Sequence, residues 1–210
     1  MDIDCVRAVL LDMDGTLVDS DASVERAWIA WSHRYKIDPD DAIAIAHGNP
    51  ADSTVRTLRR DLDEAEVAEA AAFQLAMQYD DLVDVVPTTG AHRLIETLGR
   101  HGLAWAVVTS ADRRLAAVRL GAVGISVPVL VTVEDVERGK PDPEGYLLAA
   151  RMLGVAPSSC LVVEDTETGL EAARSAGAMT AAVKGLDADL RLDDLDQLAE
   201  LIDAHPHRPT

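Results

Sequence analysis

Five short runs of apolar, mostly β-branched residues recur along the chain and predict the strands of an α/β protein. They cover 6–11, 105–109, 129–132, 161–163 and 180–183. Longer amphipathic stretches separate the last four runs, as is typical of parallel strands joined by helical crossovers. The pattern therefore predicts a parallel sheet with helices packed on its faces.

Between the first and second runs the pattern changes. Residues 20–84 are rich in alanine and charged side chains and have no strand pattern. Signals for a helix start, such as a capping side chain followed by proline or by acids, occur at Asp38-Pro39, Asn49-Pro50 and Asp63-Glu64. This predicts a helical insertion of roughly sixty residues, far longer than an ordinary connection between a strand and a helix.

Composition and charge narrow the range of partners. The chain has 210 residues and a formal net charge of −18, which argues against nucleic-acid or anionic-membrane partners because these polyanions would be repelled. No run is apolar enough to span a bilayer, and no basic and apolar leader is evident. Cys5 and Cys160 predict buried, reduced thiols. We expect a soluble cytoplasmic protein, a monomer or a homodimer.

Polar residues follow the ends of several predicted strands. Asp12-Met13-Asp14-Gly15-Thr16 comes directly after the first apolar run. Carboxylates are costly to bury unless they are paired or bind a metal, but at the carboxyl end of a parallel strand they face the crevice where α/β proteins bind ligands. Further polar groups occur at Thr109-Ser110, Lys140 and Glu164-Asp165. Each of these four motifs alone is common in turns and helix caps. All four together, in this order at the ends of predicted strands, indicate a ligand-binding site.

This combination is suited to cleaving a phosphate ester, whose anionic oxygens repel nucleophiles. Asp12 could attack phosphorus and form an aspartyl-phosphate intermediate. Asp14 could protonate the leaving oxygen and then activate water. Gly15 would let the backbone approach the phosphate, with consecutive amides forming an anion nest.

The remaining polar residues supply charge and hydrogen bonds. Thr109 or Ser110 could donate a hydroxyl to the phosphate, and Lys140 could serve both the phosphate and the nucleophile with its point charge. Glu164 and Asp165 would complete an oxygen-rich Mg²⁺ site together with the first carboxylates. The insertion follows the carboxylate pair directly, so we expect it to cover this site.

Taken together, these motifs resemble those of the haloacid dehalogenase superfamily, over a length from about Arg7 to the carboxyl end. The resemblance implies a Rossmann-like sheet of order 5-4-1-2-3 and a helical cap inserted after the first strand. It divides the chain into a core domain of residues 1–17 and 87–210 and a cap domain of residues 18–86. It also implies that Asp12 is the nucleophile, that Asp14 is the acid/base, and that Asp165 binds Mg²⁺ with the Asp14 backbone carbonyl.

Several branches of the superfamily fit poorly. Asp14 argues against the dehalogenases, which lack this second aspartate. Lys36, the one lysine of the insertion, is poorly placed for the Schiff base of the phosphonoacetaldehyde hydrolases. Val24 stands where the β-phosphoglucomutases carry a hinge histidine, and Ala51 stands where they carry the arginine that binds a second phosphate.

The remaining resemblance is to the sugar and polyol phosphatases, including the hexitol-phosphate and glycerol-3-phosphate phosphatases. It is carried by residues 24–28, 45–48 and 105–110. His47, Asn49 and Arg56 are candidates for contacting substrate hydroxyls. Two simpler interpretations stay open: His47 caps a helix, and Arg56 pairs with Asp52 four residues earlier.

We therefore expect a Mg²⁺-dependent phosphatase that acts on a small phosphorylated sugar or polyol through an aspartyl-phosphate. A phosphoglycolate-type phosphatase is the nearest alternative. A β-phosphoglucomutase-like enzyme and a non-catalytic binder of phosphorylated metabolites are less favoured.

Overall fold

A parallel sheet lies at the centre of the protein in a computed structural model, which describes residues 3–46 and 49–205. The strands in chain order are β1 (Ala8–Leu11), β2 (Val18–Asp19), β3 (Val86–Pro87), β4 (Ala104–Val108), β5 (Leu130–Val131), β6 (Cys160–Glu164), β7 (Met179–Ala182) and β8 (Leu190–Arg191). Across the sheet the order is β5-β4-β1-β6-β7-β8, with all neighbours parallel.

The predicted α/β fold with a parallel sheet is confirmed, and the strand order differs from the prediction in detail. The five predicted strands have the expected neighbours, but β8 extends the sheet beyond β7. This strand has two residues and only one of them is apolar, so no hydrophobic run marked it. Every residue of β1 and β6 is buried, as expected of central parallel strands covered on both faces.

The described helices form two groups: one covers both faces of the sheet, and the other forms the insertion. In chain order they are α1 (Asp21–Tyr35), α2 (Pro39–Ala46), α3 (Ala51–Leu58), α4 (Glu64–Asp80), α5 (Ala91–His101), α6 (Arg113–Ala122), α7 (Glu144–Leu153), α8 (Glu167–Ser175) and α9 (Leu195–Ala204). Val9 and Leu11 of β1 share one hydrophobic cluster with α5, α6 and α9. Ala8 and Leu10 belong to a second cluster with α7 and α8. Alternation along the strand thus builds a three-layered core.

Helices α1 to α4 form the helical insertion and have a hydrophobic cluster of their own. Trp28 and Trp31 of α1 meet edge to face with ring centroids 5.2 Å apart, and Trp31 Nε1 donates to the Ala70 carbonyl at 3.0 Å. The three predicted helix starts are confirmed, and α4 begins with a capping box of Asp63 and Glu66. The antiparallel pair β2 and β3 lies where the chain leaves and re-enters the core.

Two further sequence predictions can be compared with the structure. None of the helices in the described ranges is long and apolar enough to cross a membrane. Cys5 and Cys160 form no disulfide, as predicted, and burial raises the pKa of the Cys160 thiol to about 11. The predicted burial of Cys5 is wrong, because this residue ends a short 3-10 helix before β1 and is exposed.

Helix α8 approaches the end of β6 so closely that only glycine fits at position 169. A Cβ there would lie 1.8 Å from Oε1 of the fully buried Glu164. We predict that Gly169→Ala lowers the free energy of unfolding by about 2 kcal/mol or more, because neither the backbone nor the carboxylate can move aside. Urea denaturation measures the change.

Gly99→Ala in α5 is the matched control, since a Cβ there meets nothing within 4 Å. It should stabilise the protein by roughly 0.5–1 kcal/mol, as expected for alanine in place of glycine within a helix. A Gly169→Ala variant as stable as the wild type would contradict the close packing of α8 on Glu164.

Candidate active site

The carboxyl ends of β4, β1 and β6 are neighbours, so the polar residues that follow them meet at one edge of the sheet. Asp12 continues β1, and its backbone N–H donates to the Val163 carbonyl at 3.0 Å. Thr109 follows β4, and Glu164 is the last residue of β6. The sequence-predicted convergence of these side chains is therefore present.

Lys140 reaches the centre of this edge from the loop before α7. Its Nζ lies 2.6 Å from Asp12 Oδ1 and 2.6 Å from Glu164 Oε1, and it donates to the Val108 carbonyl at 3.0 Å. The three charged side chains are between 0 and 10 % exposed. The ammonium thus joins two buried carboxylates, as buried charges require.

Glu164 has both carboxylate oxygens fully engaged. Oε1 accepts from Lys140 Nζ and from the Tyr146 hydroxyl at 2.6 Å. Oε2 accepts from the backbone N–H groups of Asp165 and Thr166 and from the Thr166 hydroxyl. This arrangement suits Glu164 to fixing Lys140 better than to binding a metal directly.

The electrostatic environment raises the pKa values of several of these groups. Burial raises the pKa of Asp12 well above its ordinary value; Lys140 opposes this shift, while Glu164 and Asp165 add to it. Burial acts to lower the pKa of Lys140, but Asp12 and Glu164 outweigh it and raise that pKa well above the ordinary value. Lys140 is therefore a fixed positive charge that two carboxylates share.

Asp165 forms the second acidic corner of the site. Its Oδ2 lies 2.9 Å from Lys184 Nζ, and its Oδ1 is buried with no hydrogen-bond partner among the described residues. Burial raises the pKa of Asp165, partly offset by Lys184. Gly15, at φ +81°, passes so close that a Cβ would lie 2.0 Å from Asp165 Oδ2.

The acidic residues fit the divalent metal that is expected of the site. Oxygen atoms from Asp12, Glu164 and Asp165 lie within 4.8 Å of one another. Carboxylate oxygens are the preferred ligands of hard divalent cations. A cation would supply a partner for the unpartnered Asp165 Oδ1 and would relieve the repulsion of Asp12 by Glu164 and Asp165.

Asp14 connects the core to the helical insertion. Its Oδ1 accepts from the Ser20 hydroxyl at 2.7 Å and from Arg119 Nη1 at 2.7 Å. Arg119 belongs to α6, and only 3 % of its side chain is exposed. Its Nη2 donates to Gln78 Oε1 on α4. A carboxylate at the strand edge is thereby joined through one guanidinium to the insertion.

A cavity lies between this edge of the sheet and the insertion. Asp12, Asp14, Thr109, Ser110, Lys140 and Asp165 line it from the core, and Val24, Asn49, Pro50 and Gln74 are among the residues that line it from the insertion. Asn49 is therefore close to the site, as predicted, although its Nδ2 donates to the Ile45 carbonyl.

Two predicted site residues are placed differently. Arg56 does not reach the cavity; it pairs with Asp52 at 2.6 Å and Glu64 at 2.9 Å, which confirms the simpler interpretation of this residue. The Gly15 N–H donates to the Val18 carbonyl, so it is not free to join an anion nest. His47 lies outside the described residues.

Sequence reasoning missed Arg119, Gln78, Tyr146 and Lys184. The sequence does contain a signal for Lys184 as a site residue. It is one of only three lysines and directly follows the end of a predicted strand. Arg119 and Gln78 lie within helices, where a polar residue is ordinarily solvent-exposed, and nothing in their local sequence indicated burial.

A Rossmann-like sheet with acidic residues and a lysine at its carboxyl edge defines a class of α/β enzyme that acts at the strand ends. Comparison with known proteins identifies the family: the model of the haloacid dehalogenase-like hydrolases matches residues 6–177. The chain belongs to this family, and the predicted family is confirmed.

Individual relatives agree with this assignment. The chain is 37% identical to hexitol phosphatase A of Escherichia coli over 90% of this chain and 88% of that protein. It is 36% identical to validoxylamine A 7'-phosphate phosphatase of Streptomyces hygroscopicus, over 81% and 82%. A hydrolase structure from Pseudomonas syringae superposes with a TM-score of 0.85 at 25% identity, over 95% of this chain and 99% of that one.

The cluster around Lys140 generates a stability prediction. Lys140→Met should lower the free energy of unfolding by about 3–5 kcal/mol at neutral pH, because it leaves two buried carboxylates without their common cation. Chemical denaturation measures this loss.

Lys36→Met is the matched control, since Lys36 is an exposed lysine on the insertion. It should change the free energy of unfolding by no more than about 0.5 kcal/mol. Equal stability of the two variants would contradict the structural role of the Lys140 charge.

Proposed function

We propose that this protein is a Mg²⁺-dependent phosphatase that hydrolyses a small phosphorylated sugar or polyol through an aspartyl-phosphate. The observation that carries the proposal is the placement of two carboxylates in one cavity. Asp12 is held by the buried Lys140, and Asp14, two residues further on, is held by Arg119. The first suits a nucleophile, and the second suits a group that exchanges protons with the leaving oxygen.

Binding a phosphate in this acidic cavity requires positive charge. In our proposal Asp12, Asp165 and the Asp14 backbone carbonyl hold Mg²⁺, which would offset the negative charge of the phosphoryl oxygens. Glu164, predicted from sequence as a further ligand, is assigned instead to holding Lys140, because its oxygens are already engaged. Thr109 and Ser110 are assigned to donate hydroxyl hydrogen bonds to the phosphate, and Lys140 to supply charge.

The proposed first step forms a bond between a carboxylate oxygen of Asp12 and phosphorus. Oδ1 accepts from Lys140, which leaves Oδ2 as the attacking atom. The bond between phosphorus and the leaving oxygen breaks, and that oxygen takes a proton from Asp14. In the second step Asp14 takes a proton from water as the water attacks the phosphorylated Asp12, which releases phosphate and restores both carboxyl groups.

Arg119 acts as a positioning residue in this scheme. Together with Ser20 it contacts the same oxygen of Asp14, Oδ1, and so leaves Oδ2 to exchange the proton. Because Arg119 also bonds to Gln78 of the insertion, the orientation of Asp14 depends on the insertion being closed over the core.

The helical insertion is proposed to be a cap domain of residues 18–86, with β2 and β3 as its hinge strands. A closed cap would exclude water and select the leaving group, while the core binds the phosphoryl group. The contacts between α4 and α6 support this role. The Tyr79 hydroxyl donates to Asp112 at 2.7 Å, and burial and Asp112 raise the pKa of Tyr79 to about 12, so this donor stays protonated.

The choice of sugar and polyol phosphates has two supports. The two relatives described above are named for a hexitol and for validoxylamine A 7'-phosphate, both of which carry several hydroxyl groups. Among the described residues, the insertion also lines the cavity without a basic side chain that could pair with a carboxylate, which favours a neutral leaving group over that of phosphoglycolate.

The proposal predicts Mg²⁺-dependent release of phosphate from hexitol or other sugar phosphates. Asp12→Asn should lower kcat at least about a thousandfold, because an amide is not a nucleophile toward phosphorus. Asp14→Asn should lower it by about 10²–10⁴, the usual contribution of a general acid/base. Phosphate release by purified variants, with and without a chelator, measures these effects.

Asp41→Asn, an exposed aspartate of α2 outside the cavity, is the control and should match the wild type. Binding of sugar phosphates without turnover by the wild type would favour a non-catalytic binder. Preferred hydrolysis of phosphoglycolate would refute the substrate class, and full activity in excess chelator would refute the metal.

A further inference from the structure

Two glutamine side chains of α4 are buried against the cavity, and neither takes part directly in the bond-making steps proposed above. Gln74 is 0 % exposed and Gln78 is 5 % exposed, and both line the cavity on the insertion side. Primary amides are costly to bury unless each donor and acceptor finds a partner. The hydrogen bonds of these two glutamines therefore indicate their role.

Arg119 determines which way both amides point. A guanidinium can only donate, so the Gln78 atom that Arg119 Nη2 contacts must be the amide oxygen. The amide nitrogen of Gln78 then faces Gln74 and donates to its oxygen at 2.7 Å. Gln74 must in turn direct its NH₂ group away from Gln78. This assignment follows from the donor capacity of Arg119 rather than from the similar shapes of the amide oxygen and nitrogen.

Asp14, Arg119, Gln78 and Gln74 thus form a hydrogen-bonded row, and this row ends in an unused donor. Nε2 of Gln74 is buried and has no hydrogen-bond partner within the described part of the chain, and Nε of Arg119 is a second buried donor of this kind. An unsatisfied buried amide costs about 1–3 kcal/mol. A ligand oxygen in the cavity would remove this penalty.

We propose that Gln74, Gln78 and Arg119 form a leaving-group subsite, in which Gln74 Nε2 donates to a hydroxyl oxygen of the sugar or polyol. This inference rests on the proposed function. The row begins at Asp14, which exchanges a proton with the leaving oxygen, and continues away from it along α4. In the proposed subsite, the leaving group bonded to that oxygen lies along these side chains.

The charges around the row specify a neutral ligand. The positive charge of Arg119 is already paired with Asp14 at 2.7 Å, so the row offers amide donors and no free cation. Asp14 is in turn balanced by Arg119, and Asp21, which also lines the cavity, lies 3.7 Å from Lys184 Nζ, so these groups offer no unpaired charge to a ligand. Hydroxyl groups satisfy the donors without adding charge, so the subsite selects polyhydroxy leaving groups.

Gln74→Met tests the subsite, since methionine fills a similar volume without a donor. The readout is the ratio of kcat/KM for a hexitol 6-phosphate to kcat/KM for p-nitrophenyl phosphate, whose leaving group has no hydroxyl for Gln74. We expect the ratio to fall roughly 3- to 10-fold, the effect of one neutral hydrogen bond. Gln197→Met, on an exposed glutamine of α9 far along the chain, is the matched control and should leave the ratio unchanged.

Binding to the Asp12→Asn background separates the subsite from the chemistry. There, Gln74→Met should weaken calorimetric binding of the hexitol phosphate roughly 3- to 10-fold and leave the binding of inorganic phosphate unchanged. Equal losses for both ligands, or no loss for either, would overturn the subsite. A wild type that hydrolyses neither ester refutes the proposed function instead, while the binding comparison still decides whether Gln74 contacts the sugar.

Discussion

The ammonium group of Lys140 lies between two buried carboxylates, and the arrangement of the site depends on this contact. Asp12 and Glu164 lie close together because β1 and β6 are adjacent in the sheet. Two buried carboxylates side by side would oppose folding without the ammonium group that contacts both of them. Tyr146 and Thr166 complete the hydrogen bonds of Glu164, and α8 carries glycine at position 169 to make room for it. Lys140 thus connects the polar residues at this edge of the sheet.

The same contact explains why this edge of the sheet suits phosphoryl transfer. Lys140 engages Oδ1 of Asp12 and not Oδ2, and Asp12 lines the cavity. It does not neutralise Asp165, whose pKa is raised by burial and whose Oδ1 has no partner among the described residues. The neighbouring carboxylates therefore oppose one another's charged forms, and a divalent cation between them would relieve that repulsion and attract an anionic substrate. The stability of the fold and the proposed catalysis thus both depend on the contacts of Lys140 with the carboxylates.

Much of the fold and of the candidate site could be predicted from the sequence, because strand order determines which residues meet. Parallel strands bring their carboxyl ends to one edge, so Asp12, Lys140 and Asp165 could be grouped from strand patterns and motifs alone. Arg119 could not, because its partner Asp14 is 105 residues away and a helix sequence does not reveal a buried guanidinium. For Arg56 the sequence leaves a substrate contact and an ion pair with Asp52 both open, and the structure shows the ion pair together with a second one to Glu64. Strand β8 could not be predicted, because its two residues are too few to form a hydrophobic pattern.

The central claim is that Asp12 becomes phosphorylated, and trapping that intermediate tests it most directly. The Asp14→Asn variant, which is impaired in activating water, is mixed with Mg²⁺ and a good substrate such as p-nitrophenyl phosphate. The reaction is quenched in acid, and the protein is digested for mass spectrometry. The account predicts a phosphoryl group on the peptide that contains Asp12, and specifically on that side chain. A phosphoryl group on a different residue would contradict it, as would phosphate release in the first turnover with no phosphorylated protein at any time.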